Sequence, residues 1–113
     1  MAEYYNRESL KEVAGGDEDF MAVVAQAFLE EIPPDLAALN EAVGNDNKEL
    51  AYQFAHKMKP NFEMFGIEVL KDIAAIEDWT KTSKKVASIQ DNMDRVMEIV
   101  THVIEELQKD FAG

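Results

Sequence analysis

The sequence predicts an all-α protein, an antiparallel four-helix bundle with a short extra helix at its N-terminus. Three observations carry that prediction. Apolar residues recur at spacings of three and four along most of the chain, and no stretch alternates as a half-buried strand does. The five glycines and three prolines are few and grouped, at Gly15-Gly16, Pro33-Pro34, Gly44, Pro60 and Gly66 before the terminal Gly113, and they divide the chain into helix-length pieces. The 113 residues, 47% of them apolar, suffice for one core and no more, so residues 1–113 are read as a single domain.

The elements follow in order. A leading helix over about residues 7–14 has Asn6 as its cap and Leu10, Val13 and Ala14 on one face. Gly15-Gly16 ends it, and Asp17 caps the next helix, whose first turn carries Glu18 and Asp19 against the positive end of the helix dipole. In that second helix Phe20, Val24, Phe28, Ile32, Leu36, Leu39 and Val43 form a stripe that runs straight past Pro33-Pro34. Two prolines remove two amide donors and crowd the preceding turn. A kinked helix over about residues 17–43 or two collinear shorter ones would both keep the stripe on one core.

Gly44-Asn45-Asp46 forms a turn. The third helix then carries Leu50, Phe54 and Met58 on one stripe, with Ala51, Ala55 and Phe62 beside it. Gly66 separates it from a fourth helix with Val69, Leu70, Ile73 and Ile76 that ends near Trp79. After the loop Thr80-Lys81-Thr82-Ser83, the last helix has Val86, Ile89, Met93, Val96, Val100, Val103 and Leu107 in alternating steps of three and four. About 27 residues there make a rod of roughly 40 Å. Four amphipathic helices with short connections close most economically as an antiparallel bundle.

Composition excludes several function classes. Eleven basic against 23 acidic residues give a formal charge of −12, the wrong sign for nucleic acid or an anionic membrane. No cysteine is present, so disulfides, thiolate metal sites and thiol nucleophiles are ruled out. The longest uninterrupted apolar run, Phe20 to Ala25, is far too short to span a bilayer. The N-terminus lacks the basic and apolar regions of a signal peptide, which gives a cytoplasmic expectation. Ser9, Ser83 and Ser88 belong to no nucleophile motif. A di-iron bundle needs Glu-x-x-His on two helices, but Gln53 precedes His56 and Ile99 precedes His102 at that spacing. No metal site is expected.

The two histidines remain. His56 lies two residues from both Phe54 and Met58, so at 100° per residue it points about 200° from the stripe they mark. It is therefore expected to be exposed, midway along its helix. Gln53, Lys59, Pro60 and Glu63 share its face. Lys59, one turn on, would put an ammonium within reach of a phosphoryl group on the imidazole. Lys48, Lys57 and Lys59 form a basic island in an acidic chain. A solvated helix face explains the same residues equally well. His102, off the main seam of the last helix, is read as an ordinary surface histidine.

Ala55-His56-Lys57-Met58-Lys59 followed by Gly66 resembles the signature of histidine-containing phosphotransfer (HPt) domains, in which an apolar residue stands two, a Lys three and a Gly ten positions after the His. Gly15-Gly16-Asp17 leading into Phe20, Phe28-Leu29-Glu30 before a proline, and Leu70, Ile73 and Ile76 extend the likeness over most of the chain. The resemblance implies a phosphorelay intermediate of two-component signal transduction, a phosphocarrier without kinase activity of its own. His56 would accept a phosphoryl group, through Nε2, from the aspartyl phosphate of one receiver domain and pass it to another. Lys59 would stabilise phosphoryl charge. Gln53, Lys57, Pro60 and Glu63 would meet the partner, and Gly66 would shape the connection between helices. No cofactor is implied, since Mg²⁺ belongs to the receiver. The implied partners are receiver domains of response regulators and hybrid histidine kinases, and the family's freestanding members are mostly monomers.

One position departs from the family. Glycine usually stands four residues after the His, where this chain has Pro60. The pyrrolidine ring sits beside the imidazole, removes the amide that would bond the carbonyl of His56, and disfavours helical geometry at Lys59. A kink just past His56 is expected. The alternative function is a non-catalytic relative that docks on receivers without transferring phosphate. Retention of both His56 and Lys59 favours the carrier.

Overall fold

The structure, a computed structural model, describes residues 4–111. Five helices follow one another: α1 (Arg7–Val13), α2 (Glu18–Gly44), α3 (Lys48–Met64), α4 (Leu70–Trp79) and α5 (Gln90–Phe111), with no strand among the described residues. Side-chain caps set the first three. Asn6 accepts from the Ser9 amide, Asp17 from the amides of Asp19 and Phe20, and Asn47 from that of Leu50, each offsetting donors that the first turn leaves free. Helix α2 packs on α3 and α5, and α4 packs on the same two, so the four long helices close a ring around one core. Short connections make sequential neighbours antiparallel. The molecule measures 46 × 24 × 21 Å, and α1 lies across α2 and α3.

Helix α2 is continuous through Pro33-Pro34, so of the two arrangements open from the sequence the single helix is observed. Its buried stripe differs from the expected one at the N-terminal end. Phe28, Ile32, Leu36, Leu39 and Val43 are buried, but Met21 and Ala25 take the inner positions, and Phe20 is 47% exposed. The cause is geometric. Each step of four residues overshoots a full turn by about 40°, so two such steps back from Phe28 carry Phe20 well off the core face. A step of three restores it at Ala25.

The same correction applies to α3. Ala51, Ala55, Met58 and Phe62 are fully buried, whereas Leu50 is exposed and Phe54 only half-buried. Helices approach more closely where small side chains meet, and Ala51 and Ala55 hold that inner line. The helix continues through Pro60 to Met64. Helix α5 begins later than expected. Val86–Ser88 form a separate 3-10 turn, and the helix proper has 22 residues, about 33 Å. The connection before it is held extended at Lys85, and Trp79 Nε1 and Lys48 Nζ both donate to the carbonyl of Lys84. The seam Ile89, Met93, Val96, Val100, Val103 and Leu107 is buried throughout.

Gly66 adopts φ +61°, and a Cβ there would lie 2.6 Å from Cβ of Asn6 and 3.1 Å from Oγ of Ser9. The residue therefore serves twice: its backbone conformation is costly for any L side chain, and its bare Cα is the seat of α1. The Asn6 amide donates to the carbonyl of Phe65 at 2.7 Å beside it. Three acidic residues, Asp35, Asp72 and Glu77, are buried, and each has a partner, as buried charge requires. Asp72 accepts from Asn92 Nδ2 at 3.0 Å and Arg95 Nε at 3.1 Å, joining α4 to α5. No helix among the described residues is long and apolar enough to cross a membrane.

Candidate functional site

His56 stands at the midpoint of α3 with 66% of its side chain exposed. The core line Ala51, Ala55, Met58 and Phe62 faces inward, which turns position 56 outward by construction of the helix. Two contacts fix the ring. Tyr52, one turn earlier, stacks on it with centroids 5.6 Å apart and planes 9° from parallel. From the neighbouring α4, Glu77 brings Oε2 to 3.2 Å from Nδ1. An ionised carboxylate only accepts hydrogen bonds, so Nδ1 carries the proton. Nε2 is then the nitrogen with a free lone pair, on the side of the ring away from Glu77.

Lys59 reaches the same carboxylate, with Nζ 3.6 Å from Glu77 Oε1. One buried carboxylate thus spans the imidazole and the ammonium, one oxygen to each. The sequence contained no pointer to this residue in the local helix, because it comes from another. The available signal was a carboxylate at an inner position of α4, four residues after Ile73 and next to Ile76. Asp35, on the other flank, is the analogous case. It is buried in α2, and both of its oxygens meet Lys57 Nζ, at 3.1 and 3.2 Å.

These pairings revise the basic island. Lys57 and Lys59 are neutralised by Asp35 and Glu77, and Lys48 donates to the carbonyls of Thr82 and Lys84 and lies over the Trp79 ring. Lys48 therefore ties α3 to the α4–α5 connection and keeps its charge, which carbonyls do not cancel, about two turns from His56. Buried carboxylates on both flanking helices draw the lysines of α3 sideways, which spacing along one helix does not reveal.

The remaining residues singled out from the sequence spread along the α3 face. Gln53, Lys57, Pro60 and Glu63 are all exposed. Gln53 lines a shallow groove of about 420 Å³ with Lys48, Glu49, Tyr52, Thr80 and Lys81. Glu63 lies at the far end of the face, on the edge of a cleft with Phe62, Ile67 and Leu70. Pro60 follows His56 by one turn of the same helix, as Tyr52 precedes it by one. His102 stacks on Tyr4 at 4.5 Å and lies 3.5 Å from Glu105, an exposed residue of its own helix. No cluster of His, Asp and Glu able to hold a metal ion occurs among the described residues.

Comparison with known families identifies one that the chain matches. The family described as the Hpt domain matches residues 23–110, a segment that contains His56, Lys59, Glu77 and Gly66. Neither the curated proteins nor the solved structures gave a match. Hpt domains are phosphocarrier modules of two-component phosphorelays and interact with receiver domains. With a match that reaches from the first turns of α2 to the last turn of α5, and an all-helical bundle to go with it, the chain belongs to the Hpt domain family.

Proposed function

We propose that His56 is the phosphoacceptor of a phosphorelay, taking a phosphoryl group from the aspartyl phosphate of one receiver domain and giving it to the aspartate of another. The observation that carries this reading is the exposed imidazole with Nδ1 occupied by a buried carboxylate, which leaves Nε2 as the nitrogen for chemistry.

In the forward step the Nε2 lone pair attacks phosphorus in line with the acyl phosphate bond. The N–P bond forms as the P–O bond breaks, and the electron pair leaves with the receiver's aspartate, which departs as carboxylate. The ring becomes a phosphoimidazolium with its proton still on Nδ1. Glu77 stabilises that positive charge and needs no movement to do so, the kind of preorganised electrostatics on which phosphoryl transfer depends. Lys59, half-buried and held by Glu77, is one turn from the transferred group and can turn an N–H to its oxygens. Transfer to the second receiver is the reverse of these events. The partner supplies the Mg²⁺ in this scheme, and the chain's own part is an oriented nucleophile.

Mixing the protein with phosphorylated receiver domains and following the label tests the proposal. An acid-labile, base-stable phosphoprotein that is lost in His56→Gln is the expected result. Receiver binding without any label in the wild-type chain would make it a docking module instead.

A further inference from the structure

Positive charge without a partner lies one step away from His56, on the connection from α4 to α5. Thr80-Lys81-Thr82-Ser83-Lys84-Lys85 holds three lysines and no acid in a chain of net charge −12. Among the described residues no carboxylate lies within salt-bridge distance of Lys81, Lys84 or Lys85, in contrast to Lys57 and Lys59, and all three are exposed.

The backbone that carries them is fixed. Thr80 Oγ1 donates to the Glu77 carbonyl and Thr82 Oγ1 to that of Trp79, the Lys84 amide donates to Thr82 Oγ1, and Trp79 Nε1 and Lys48 Nζ both donate to the Lys84 carbonyl. A connection tied at so many points presents its charges without the ordering cost of a free loop. It is also continuous with the site. Lys81 Nζ lies 5.7 Å from the Tyr52 ring centroid, and Tyr52 in turn stacks on His56. Between Lys81 and Tyr52 runs the groove lined by Lys48, Gln53 and Thr80, with Glu49 its one carboxylate.

We propose that Lys81, Lys84 and Lys85, with the groove at Tyr52, form a docking point for an acidic surface of the receiver domain beside its phosphorylated aspartate. The inference rests on the receiver pairing proposed above and assigns it a contact outside α3. The charges next to the imidazole are already cancelled by Glu77 and Asp35, so attraction of an acidic partner falls to this connection. Charges of this kind at the rim of an interface chiefly set the encounter rate and its salt dependence.

The test measures receiver affinity by titration for wild type, for Lys81→Glu/Lys84→Glu, and for Lys11→Glu/Lys109→Glu. The last pair makes the same change in net charge on α1 and on the last turn of α5. The probe is a set of Mg²⁺-loaded receiver domains from the same genome, and helical content and melting of each variant verify its fold. The expected result is a weakening of about tenfold or more for the first pair at low salt, little change for the second, and convergence of the first on wild type near about 0.5 M salt. Equal affinity of the first pair and wild type, or equal losses in both pairs, would overturn the proposal. If affinity depends on these lysines but His56 takes up no label, the docking point stands and the carrier function fails; if wild type binds no receiver, both fail.

Discussion

The two histidines of this chain have the same immediate company, an aromatic ring stacked on the imidazole and a glutamate at Nδ1, yet those partners hold the two rings differently. At His56 the glutamate comes from a different helix and only 11% of its side chain is exposed, while at His102 it is the i+3 neighbour on α5 and 66% exposed. The aromatic partner differs too. Tyr52 belongs to the same helix as His56, whereas Tyr4 comes from the N-terminal segment, and His102 is the less exposed ring, at 44% of its side chain against 66%. An exposed pair holds its geometry loosely and contributes little. A buried carboxylate with two partners is held by the packing around it and holds the imidazole in turn. What sets the proposed phosphoacceptor apart from the other imidazole therefore lies in the second helix.

The largest effect should separate the histidines themselves. His56→Gln is expected to reduce phosphoryl uptake from a receiver by at least about a thousandfold, the scale of losing a nucleophile, and His102→Gln to leave it near wild type, as labelled phosphoprotein on a gel would record. Next comes the pair of glutamates. Glu77→Gln should slow transfer by about ten- to a hundredfold, in keeping with the loss of a group that orients and stabilises a reacting ring. The ¹⁵N shifts of His56 should at the same time lose their preference for the Nδ1–H tautomer. Glu105→Gln should alter neither measurement. A smaller loss, about tenfold, is expected for Lys59→Ala in single-turnover transfer, since this ammonium is half-exposed and screened; an unchanged rate would remove Lys59 from the mechanism.

The smallest effect concerns the region around His102, where the N-terminal segment is tied down. Tyr5 is buried and its hydroxyl donates to Asp110 at 2.6 Å. Burial first, and the Asp110 carboxylate second, push its pKa well above the ordinary tyrosine value of 10.0. Below pH 10 the side chain is protonated in the folded and the unfolded chain alike, and its contribution is complete. Above it the unfolded chain loses the proton first, so stability falls as pH rises. Tyr5→Phe should cost about 1 kcal/mol at neutral pH and make the alkaline decline shallower, as denaturant unfolding at pH 7 and above pH 10 would show.

Much of this was legible in the sequence, and the exceptions have a common cause. Helix existence and order follow from spacing and caps, and the α5 seam from Ile89 to Leu107 is buried as its three-four rhythm requires. The phase of α2 and α3 is where apolar size misleads. Phe20 and Leu50 look more like core residues than Ala25 and Ala51, but the inner line is chosen by how closely helices approach. The HPt resemblance identified the family and drew attention to His56, Lys59 and Gly66. It left out Glu77, Asp35 and Tyr52, and the basic island read from Lys48, Lys57 and Lys59 loses the free charge of the last two to carboxylates on neighbouring helices. Contacts within one helix can be counted along the chain; contacts between helices need the fold.

The seat of α1 on Gly66 has a consequence for the order in which the molecule assembles. Seven residues are too few to hold a helix in water unaided, so α1 depends on a surface made by others. Its first turn meets the chain some sixty positions later, at Phe65 and Gly66, and that landing place exists only once α3 has ended in its left-handed glycine. Helix α1 is thus expected to join a bundle already closed and to be the first element to detach from it. Its release would uncover Leu10 and the Gly66 turn while leaving α3 and α4 clasped through Glu77, so the face that carries His56 can outlast the loosening of the opposite end.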